Sequence, residues 1–349
     1  MTVKTRYFVI VSLLVVGVGL GTGLVAYYVG FPTSAFIRGG PEELRYLPST
    51  ATVVAYADVQ QVMASELRQR FRESVLPGAQ ENGQREFQDL TGINIETDLD
   101  HVVACLDATG TGANNPGSGV VLAKGRFAEV KIEALMREHG AHVENYSSKR
   151  LIVADPDDRD VTPGDGVARR HGSFAVSFME PGLAAIGSTS LIRTAIDLHR
   201  AGNNPQKGLE SVTGNDELMN LVRSMDDGNA WAVGRFDALS SQHLPAGIMS
   251  QLPAITWFSV SGHVNGGIRG VLRAETRDEE AANNLRDVVR GFMALAKLQA
   301  GSRPEFQAMM QSLELGGSGK TVALSFAVPA EVFDIIGAVA NKAVKPEVH

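Results

Sequence analysis

The chain has 349 residues, of which 44% are apolar and 20% are charged, and its net charge is −7. This length fits one large or two ordinary domains, and the apolar fraction is sufficient for a hydrophobic core. Because the basic residues form no cluster, nucleic acid is not an expected partner.

The N-terminal region contains a long apolar run. Residues 7–29 carry no charged side chain, and a helix of this length crosses a hydrocarbon core of about 30 Å. We therefore predict a single transmembrane helix that holds the chain in a lipid bilayer. Lys4 and Arg6 precede it, so the positive-inside rule places residues 1–6 in the cytoplasm and the bulk of the chain outside. A cleaved signal peptide, with a site at residues 33–35, is the alternative, but the length of the apolar run favours an uncleaved anchor.

Four glycines lie within this run at a spacing that permits helix association. Gly17 and Gly21 form one GxxxG pattern, and Gly19 and Gly23 form another. Such spacing lets two membrane helices approach closely. A homodimer formed through the membrane helix is therefore one hypothesis. The alternative is that these glycines reflect only the general frequency of glycine in membrane helices.

The remaining chain predicts an α+β fold with antiparallel sheets and helices packed on one face. Strand, turn and helix recur, and so does a hairpin that leads into a helix, with turns at residues 180–182 and at Asn265-Gly266. We interpret this as two diverged copies of one strand-helix and hairpin-helix unit. The predicted segments are a juxtamembrane linker at 30–45, a first unit at 46–204, a connector at 205–227, a second unit at 228–343 and a tail at 344–349.

Two Gly-Arg-Phe sequences, at residues 125–127 and 234–236, recur at predicted strand ends. We expect each phenylalanine to anchor its turn while the arginine extends toward solvent. For the helix ends, Thr276 and Glu279 have the spacing of a capping box. The hydroxyl groups of residues 188–190 are expected to cap the helix that follows them.

The sequence GGSGKT at residues 316–321 resembles a phosphate-binding loop. That motif requires a glycine where this chain has Glu314, and it must lead from a strand into a helix. Here a helical pattern that reaches Leu313 comes first, and a strand pattern follows. We therefore expect no nucleotide to bind this loop.

No other pattern identifies a catalytic, cofactor or metal site. The aspartates of residues 155–165 lack the ligand spacing of a calcium loop. His139 and His199 fall in last turns of predicted helices, where a partial positive charge is favourable. His142 lacks the partners of a zinc site. The single cysteine, Cys105, lies in an apolar strand-like run, which predicts a buried and inert thiol.

The start of the globular part follows the pattern LP-x-x-(A/T)-x-VV-A-x-x-D. Leu47-Pro48, residues 53–55 and Asp58 carry it. This opening resembles a group of uncharacterised exported bacterial proteins that have a single N-terminal anchor. The resemblance implies a periplasmic or extracytoplasmic location at the bacterial inner membrane, and it brings no catalytic residues with it.

The leading interpretation is a membrane-anchored binding or scaffolding protein without catalytic activity, whose partner is an unidentified envelope protein. A second hypothesis is a carrier of a lipid or another apolar ligand. It rests on an apolar row formed by Phe292, Met293, Phe306, Met309 and Met310. A third hypothesis is a hydrolase whose site combines the aspartates of residues 155–165 with His139 or His142.

Overall fold

In a computed structural model, the structure describes residues 40–74, 79–107, 118–155, 173–202, 210–225, 228–236, 254–299 and 304–332. The described residues form two compact units. Residues up to 59 and from 85 to 223 belong to the first unit, and residues 60–84 and from 224 onward belong to the second.

The predicted membrane segment, residues 7–29 with Gly17, Gly19, Gly21 and Gly23, lies outside the described residues. Among the helices of the described ranges, none combines the length and the apolar character needed to cross a bilayer.

The described ranges contain both strands and helices. The strands are β1 Val53–Asp58, β2 Leu99–Asp107, β3 Ser118–Gly125, β4 His142–Tyr146, β5 Lys149–Ala154, β6 Phe174–Glu180, β7 Leu183–Ser188, β8 Ala230–Arg235, β9 Ile255–Val264, β10 Gly267–Thr276, β11 Glu314–Gly316 and β12 Thr321–Pro329. The α-helices are α1 Val59–Ala64, α2 Glu66–Ser74, α3 Ala79–Thr91, α4 Ile95–Asp98, α5 Glu129–Glu138, α6 Thr189–Ala201, α7 Asp216–Arg223, α8 Glu279–Gln299 and α9 Pro304–Gln311. Two 3₁₀ turns cover Glu42–Tyr46 and Val212–Gly214. The predicted α+β class with antiparallel sheets is confirmed.

The sheet of the first unit runs in the order β1-β2-β3-β7-β6-β5-β4, and its neighbouring strands are antiparallel. The predicted hairpin β6-β7 turns at residues 181–182 and leads directly into α6. Ile192, Ala195 and Ile196 line the buried face of α6 at helical spacing. This helix contacts β3, β6 and β7 and forms part of the core of the unit.

Helices lie on both faces of this first sheet, whereas the sequence predicted helices on one face. Arg193 of α6 binds Glu144, which is opposite Leu151 in β5. Glu133 of α5 binds Arg150, the neighbour of Leu151. Adjacent strand residues point to opposite faces, so α5 and α6 pack on opposite sides of β5.

The sheet of the second unit runs in the order β11-β12-β10-β9-β8 and is also antiparallel. The predicted hairpin turn at Asn265-Gly266 joins β9 to β10. Leu67 of α2 packs against Val264 and Ile268. Leu285 of α8 packs near Val322. Because Val264, Ile268 and Val322 share one face through the strand register, α2 and α8 cover the same side of this sheet.

Two helix starts differ from the sequence prediction. The side chain of Asp278 caps α8, because its Oδ1 accepts a hydrogen bond from the amide of Ala281 at 2.8 Å. Thr276, the predicted cap, instead donates its hydroxyl to backbone carbonyls, including that of Lys320. At the start of α6, Ser188 makes no capping hydrogen bond, and the hydroxyl of Thr189 donates to the carbonyl of Ser173.

Candidate functional site

The glycine-rich loop at residues 316–321 connects two strands. The helix before it ends at Gln311, and Glu314–Gly316 form the short strand β11, so the expected helix reaching Leu313 is wrong. Gly317 and Gly319 adopt φ angles of +91° and +56° to turn the chain into β12. The loop therefore leads into a strand and lacks the helix N-terminus that a phosphate-binding loop uses.

The histidines singled out from the sequence lie at the surface of the first unit. Nδ1 of His139 is 2.6 Å from the carbonyl oxygen of Leu135, which confirms its place at the end of α5. His142 lies 3.2 Å from Glu144 and 3.5 Å from Asp155, with half of its side chain exposed. The other aspartates of residues 157–165 lie outside the described residues.

Arg126 of the first Gly-Arg-Phe sequence forms an ion pair that the sequence did not predict. Its Nε and Nη2 donate to Oδ1 of Asp98 at 3.2 and 2.7 Å. Hydrogen bonds to the Asn94 amide and to Arg126 hold the pKa of Asp98 below its ordinary value. The ring of Phe127 is half-buried and lies 6.1 Å from that of Phe178.

Cys105 is buried in β2, as predicted. Burial raises the pKa of its thiol to about 12. Because the thiolate is the reactive form, this environment gives an inert side chain at neutral pH.

The predicted apolar row divides between half-buried and exposed side chains. Met293, Met309 and Met310 are half-buried. Phe292 is 54% exposed, and Leu295, one turn further along α8, is 50% exposed. The side chain of Phe306 lies outside the described ones. The row is therefore only partly a core feature, because α8 presents two large apolar side chains outward.

The densest ionisable cluster of the first unit was not predicted. His101 of β2 stands directly opposite Asp58 of β1 and Lys124 of β3. Opposed residues of antiparallel strands project from the same face of the sheet. The three side chains thus form a row across β1, β2 and β3, which we call the polar row.

The 3₁₀ turn Glu42–Tyr46 places a carboxylate on the polar row. Glu43 is only 8% exposed, and its Oε2 lies 3.2 Å from Nε2 of His101. Burial alone raises the pKa of this carboxyl, but the close contact with His101 and the charge of Lys124 outweigh burial and leave the pKa lowered. Glu43 is therefore held as a carboxylate.

A second carboxylate is held in the same way. Glu180, at the end of β6, accepts a hydrogen bond from Nζ of Lys124 at 3.3 Å and lies 3.3 Å from Nε2 of His199. Burial alone raises the pKa of Glu180, but the contacts with His199 and Lys124 outweigh burial and leave the pKa lowered. The ring of His199 lies 4.9 Å from that of Tyr46. His199 therefore links Glu180 to the 3₁₀ turn.

Tyr56 completes the cluster from β1. Its ring lies 5.7 Å from that of His101. Burial, with the negative charges of Asp58 and Glu43, raises its pKa above the ordinary value. The phenol is thus held neutral beside two carboxylates.

Glu43 and Glu180 both contact basic side chains. Glu43 contacts His101, and Glu180 contacts Lys124 and His199. Glu43 is mostly buried, so removal of His101 would leave its carboxylate without that partner, whereas Glu180 and Lys124 are partly exposed. The cluster attaches the 3₁₀ turn to the sheet and to α6, and we call it the clamp. Among the described residues, no group of three His, Cys, Asp or Glu side chains is arranged to hold a metal ion.

The sequence did not predict the clamp. Asp58, His101 and Lys124 are separated by tens of residues, and each lies near a strand end. Only the strand register brings them together, and the sequence does not specify that register.

The chain matches no family model and no curated protein. Among solved structures, it is similar to the structure of crystal form I of TP0453, with a TM-score of 0.45 and 10% sequence identity. The match covers 86% of this chain and 99% of that chain.

Proposed function

We propose that this protein is a membrane-anchored binding or scaffolding protein of the bacterial envelope, with its folded units outside the cytoplasm. The observation that carries the proposal is the clamped 3₁₀ turn, which follows shortly after the apolar segment. Residues 30–41 separate that segment from the turn. A fully extended chain covers at most about 3.5 Å per residue, so these residues reach about 40 Å. The first unit would therefore lie close to the bilayer surface.

The turn is attached by apolar contacts as well as by charge. Leu44 and Leu47 are fully buried. The amide of Val212 donates to the carbonyl of Leu47 at 3.0 Å, and the amide of Ser49 donates to that of Glu210 at 2.8 Å. A chain entering from a membrane helix would thus join the folded unit at a fixed point.

The finer features of the architecture support the same proposal. Both units contain a hairpin followed by a helix, β6-β7-α6 in the first and β9-β10-α8 in the second. We propose that they are diverged copies that present two related surfaces from one transmembrane helix. The GxxxG patterns of that helix would allow a homodimer.

Membrane extraction tests the anchor. The full chain is expected to remain in the membrane fraction after washing with alkaline carbonate. Two arginines at the centre of the apolar segment, L13R with V16R, should release the chain, because each central arginine costs about 2.5–3.5 kcal/mol of insertion free energy. The control places two arginines in the linker, T33R with S34R, and should stay bound. A wild-type chain found in the wash, or shortened at its N-terminus by intact mass, would refute the uncleaved anchor.

Capture in mild detergent tests the scaffolding role. The full chain, crosslinked in cells and purified in detergent, should retain a specific envelope protein in a stable ratio. Because the single cysteine, Cys105, is buried, we do not expect a captured protein to be held by a disulfide bond. Recovery of the chain alone would count against a scaffold.

The exposed apolar side chains of α8 favour a second candidate, a carrier of a lipid or another apolar ligand. Phe292 and Leu295 lie three residues apart and so share one side of the helix. Native mass spectrometry of the full chain should show a bound lipid that is lost in the F292S/L295S variant. The matched control is L272S, at an exposed leucine of β10. A bare mass for the wild type would remove this candidate.

A further inference from the structure

Two basic side chains meet beside the Asn265-Gly266 turn of the second unit. His263 of β9 and Arg269 of β10 are directly opposed in the strand register, so they project from the same face of the sheet. Opposed side chains of like charge destabilise a strand pair. The pair is therefore like-charged whenever the imidazole of His263 is protonated.

Neither side chain has an acidic partner among the described residues. Three other arginines of the second unit form ion pairs, Arg70 with Glu331, Arg277 with Asp278, and Arg290 with Asp287, whereas Arg286 binds Asn283 and backbone carbonyls. Arg269 is exposed and forms no such pair within the described part of the chain. Burial, and to a smaller extent the charge of Arg269, lower the pKa of His263.

The two residues border a cleft of about 300 Å³ that is formed by the turn and by the end of β12. Asn265, Gly266 and Gly267 form one wall, and Ala327 and Pro329 contribute to the opposite side. Gly267 keeps this wall close, because a Cβ atom there would lie 2.8 Å from the carbonyl oxygen of Val328. The carboxylate of Glu66 lies beside Gly266, 3.0 Å from the position that a Cβ atom would take there, and it forms no described ion pair with Arg269.

We propose that this cleft binds a phosphate-bearing anion through Arg269 and His263. An arginine guanidinium matches phosphate oxygens with two parallel donors. A protonated imidazole donates from either ring nitrogen. Together they would supply positive charge and hydrogen-bond donors to a bound phosphate, which would pair with two side chains that have no acidic partner in the described ranges.

The test uses the full chain in nanodiscs of phosphatidylcholine, with ¹³C-labelled histidine and inorganic phosphate added at constant ionic strength. The His263 signal, identified by its loss in H263Q, should shift saturably, and its pKa should rise on binding. The R269Q variant should weaken phosphate binding roughly tenfold to a hundredfold, because a charge-assisted pair is lost. The R290Q control removes an exposed arginine that is already paired and should bind as the wild type does.

A second arm distinguishes the source of the phosphate. In nanodiscs that contain phosphatidylglycerol and no added phosphate, the same shift of the His263 signal would identify a lipid headgroup as the ligand. A shift with inorganic phosphate alone would identify a soluble anion. If neither condition moves the signal, or if R269Q binds as tightly as the wild type, the proposal is overturned. The inorganic phosphate arm reads binding at His263 and not the topology of the chain, so its failure is distinguishable from a failure of the proposed function.

Discussion

Oε2 of Glu43 lies 3.2 Å from Nε2 of His101, and this contact joins the 3₁₀ turn Glu42–Tyr46 to the strand β2. The contact is mostly buried, and Lys124 adds a favourable charge. The turn is therefore held by a polar contact in addition to leucine packing. This attachment suits a chain that is held to a membrane from the same end.

The Glu43 pair predicts a specific loss of stability in acid. The pKa of Glu43 is lowered from its ordinary value of 4.5, so its contribution is present above pH 4.5 and is lost as the pH falls through the lowered value. At neutral pH, E43Q should reduce the unfolding free energy by about 1 kcal/mol. Urea unfolding between pH 3 and 7 should show the variant and the wild type converging in acid. The neighbouring variant E42Q removes an exposed carboxylate and should keep the wild-type profile.

Burial of Leu44 predicts that packing of the 3₁₀ turn contributes substantially to the free energy of unfolding. It is buried, so L44A should lower the unfolding free energy by about 2–4 kcal/mol through lost burial and a residual cavity. L106A is the matched control, because Leu106 is 52% exposed, and it should change stability by less than about 0.5 kcal/mol. Equal urea midpoints for the two variants would show that the turn does not dock.

Cys105 and Leu106 are adjacent in β2 and point to opposite faces, which predicts a contrast in thiol reactivity. The native wild-type chain should not react with a maleimide at pH 7.5, because Cys105 is buried and its thiol pKa is raised to about 12. The L106C variant should react with one equivalent. Complete labelling of both chains in urea verifies the reagent, and rapid labelling of the native wild type would contradict the burial of Cys105.

The turn between β4 and β5 predicts a stabilising substitution. Ser147 and Ser148 have φ angles of 47° and 66°, a region that favours glycine. S148G should raise the unfolding free energy by about 0.5–1 kcal/mol, because relief of backbone strain exceeds the entropy cost. The S148A variant keeps a Cβ atom at positive φ, so it should not raise the unfolding free energy. A loss of stability in S148G would show that the strain is absent.

The sequence predicted individual hairpins and helices more reliably than it predicted which strands and side chains contact one another. The Asn265-Gly266 hairpin and the hairpin that leads into α6 were predictable because turn residues and alternating apolar residues act over short distances. The turn at Ser147-Ser148 was not, because neither residue is a usual choice for positive φ. The cap of α8 was misassigned by two residues, since Thr276 and Asp278 are both acceptable caps by type.

The long-range features were beyond local reasoning. Residues 60–84 belong to the second unit because Leu67 packs with Val264 and Ile268, which lie about 200 residues further along the chain. The polar row and the opposed pair His263 and Arg269 depend on strand register. A shift of one residue would move each side chain to the other face, so sequence spacing alone does not reveal them.

Topology labelling of the L106C variant tests the central claim most directly. Intact cells that express the full-length variant are treated with a membrane-impermeant maleimide, before and after the inner membrane is permeabilised. The K4C variant serves as the control for the opposite side of the membrane. A membrane-anchored protein with its folded units outside the cytoplasm predicts that L106C is labelled before permeabilisation of the inner membrane and K4C only after it. Labelling of L106C only after permeabilisation would contradict this account.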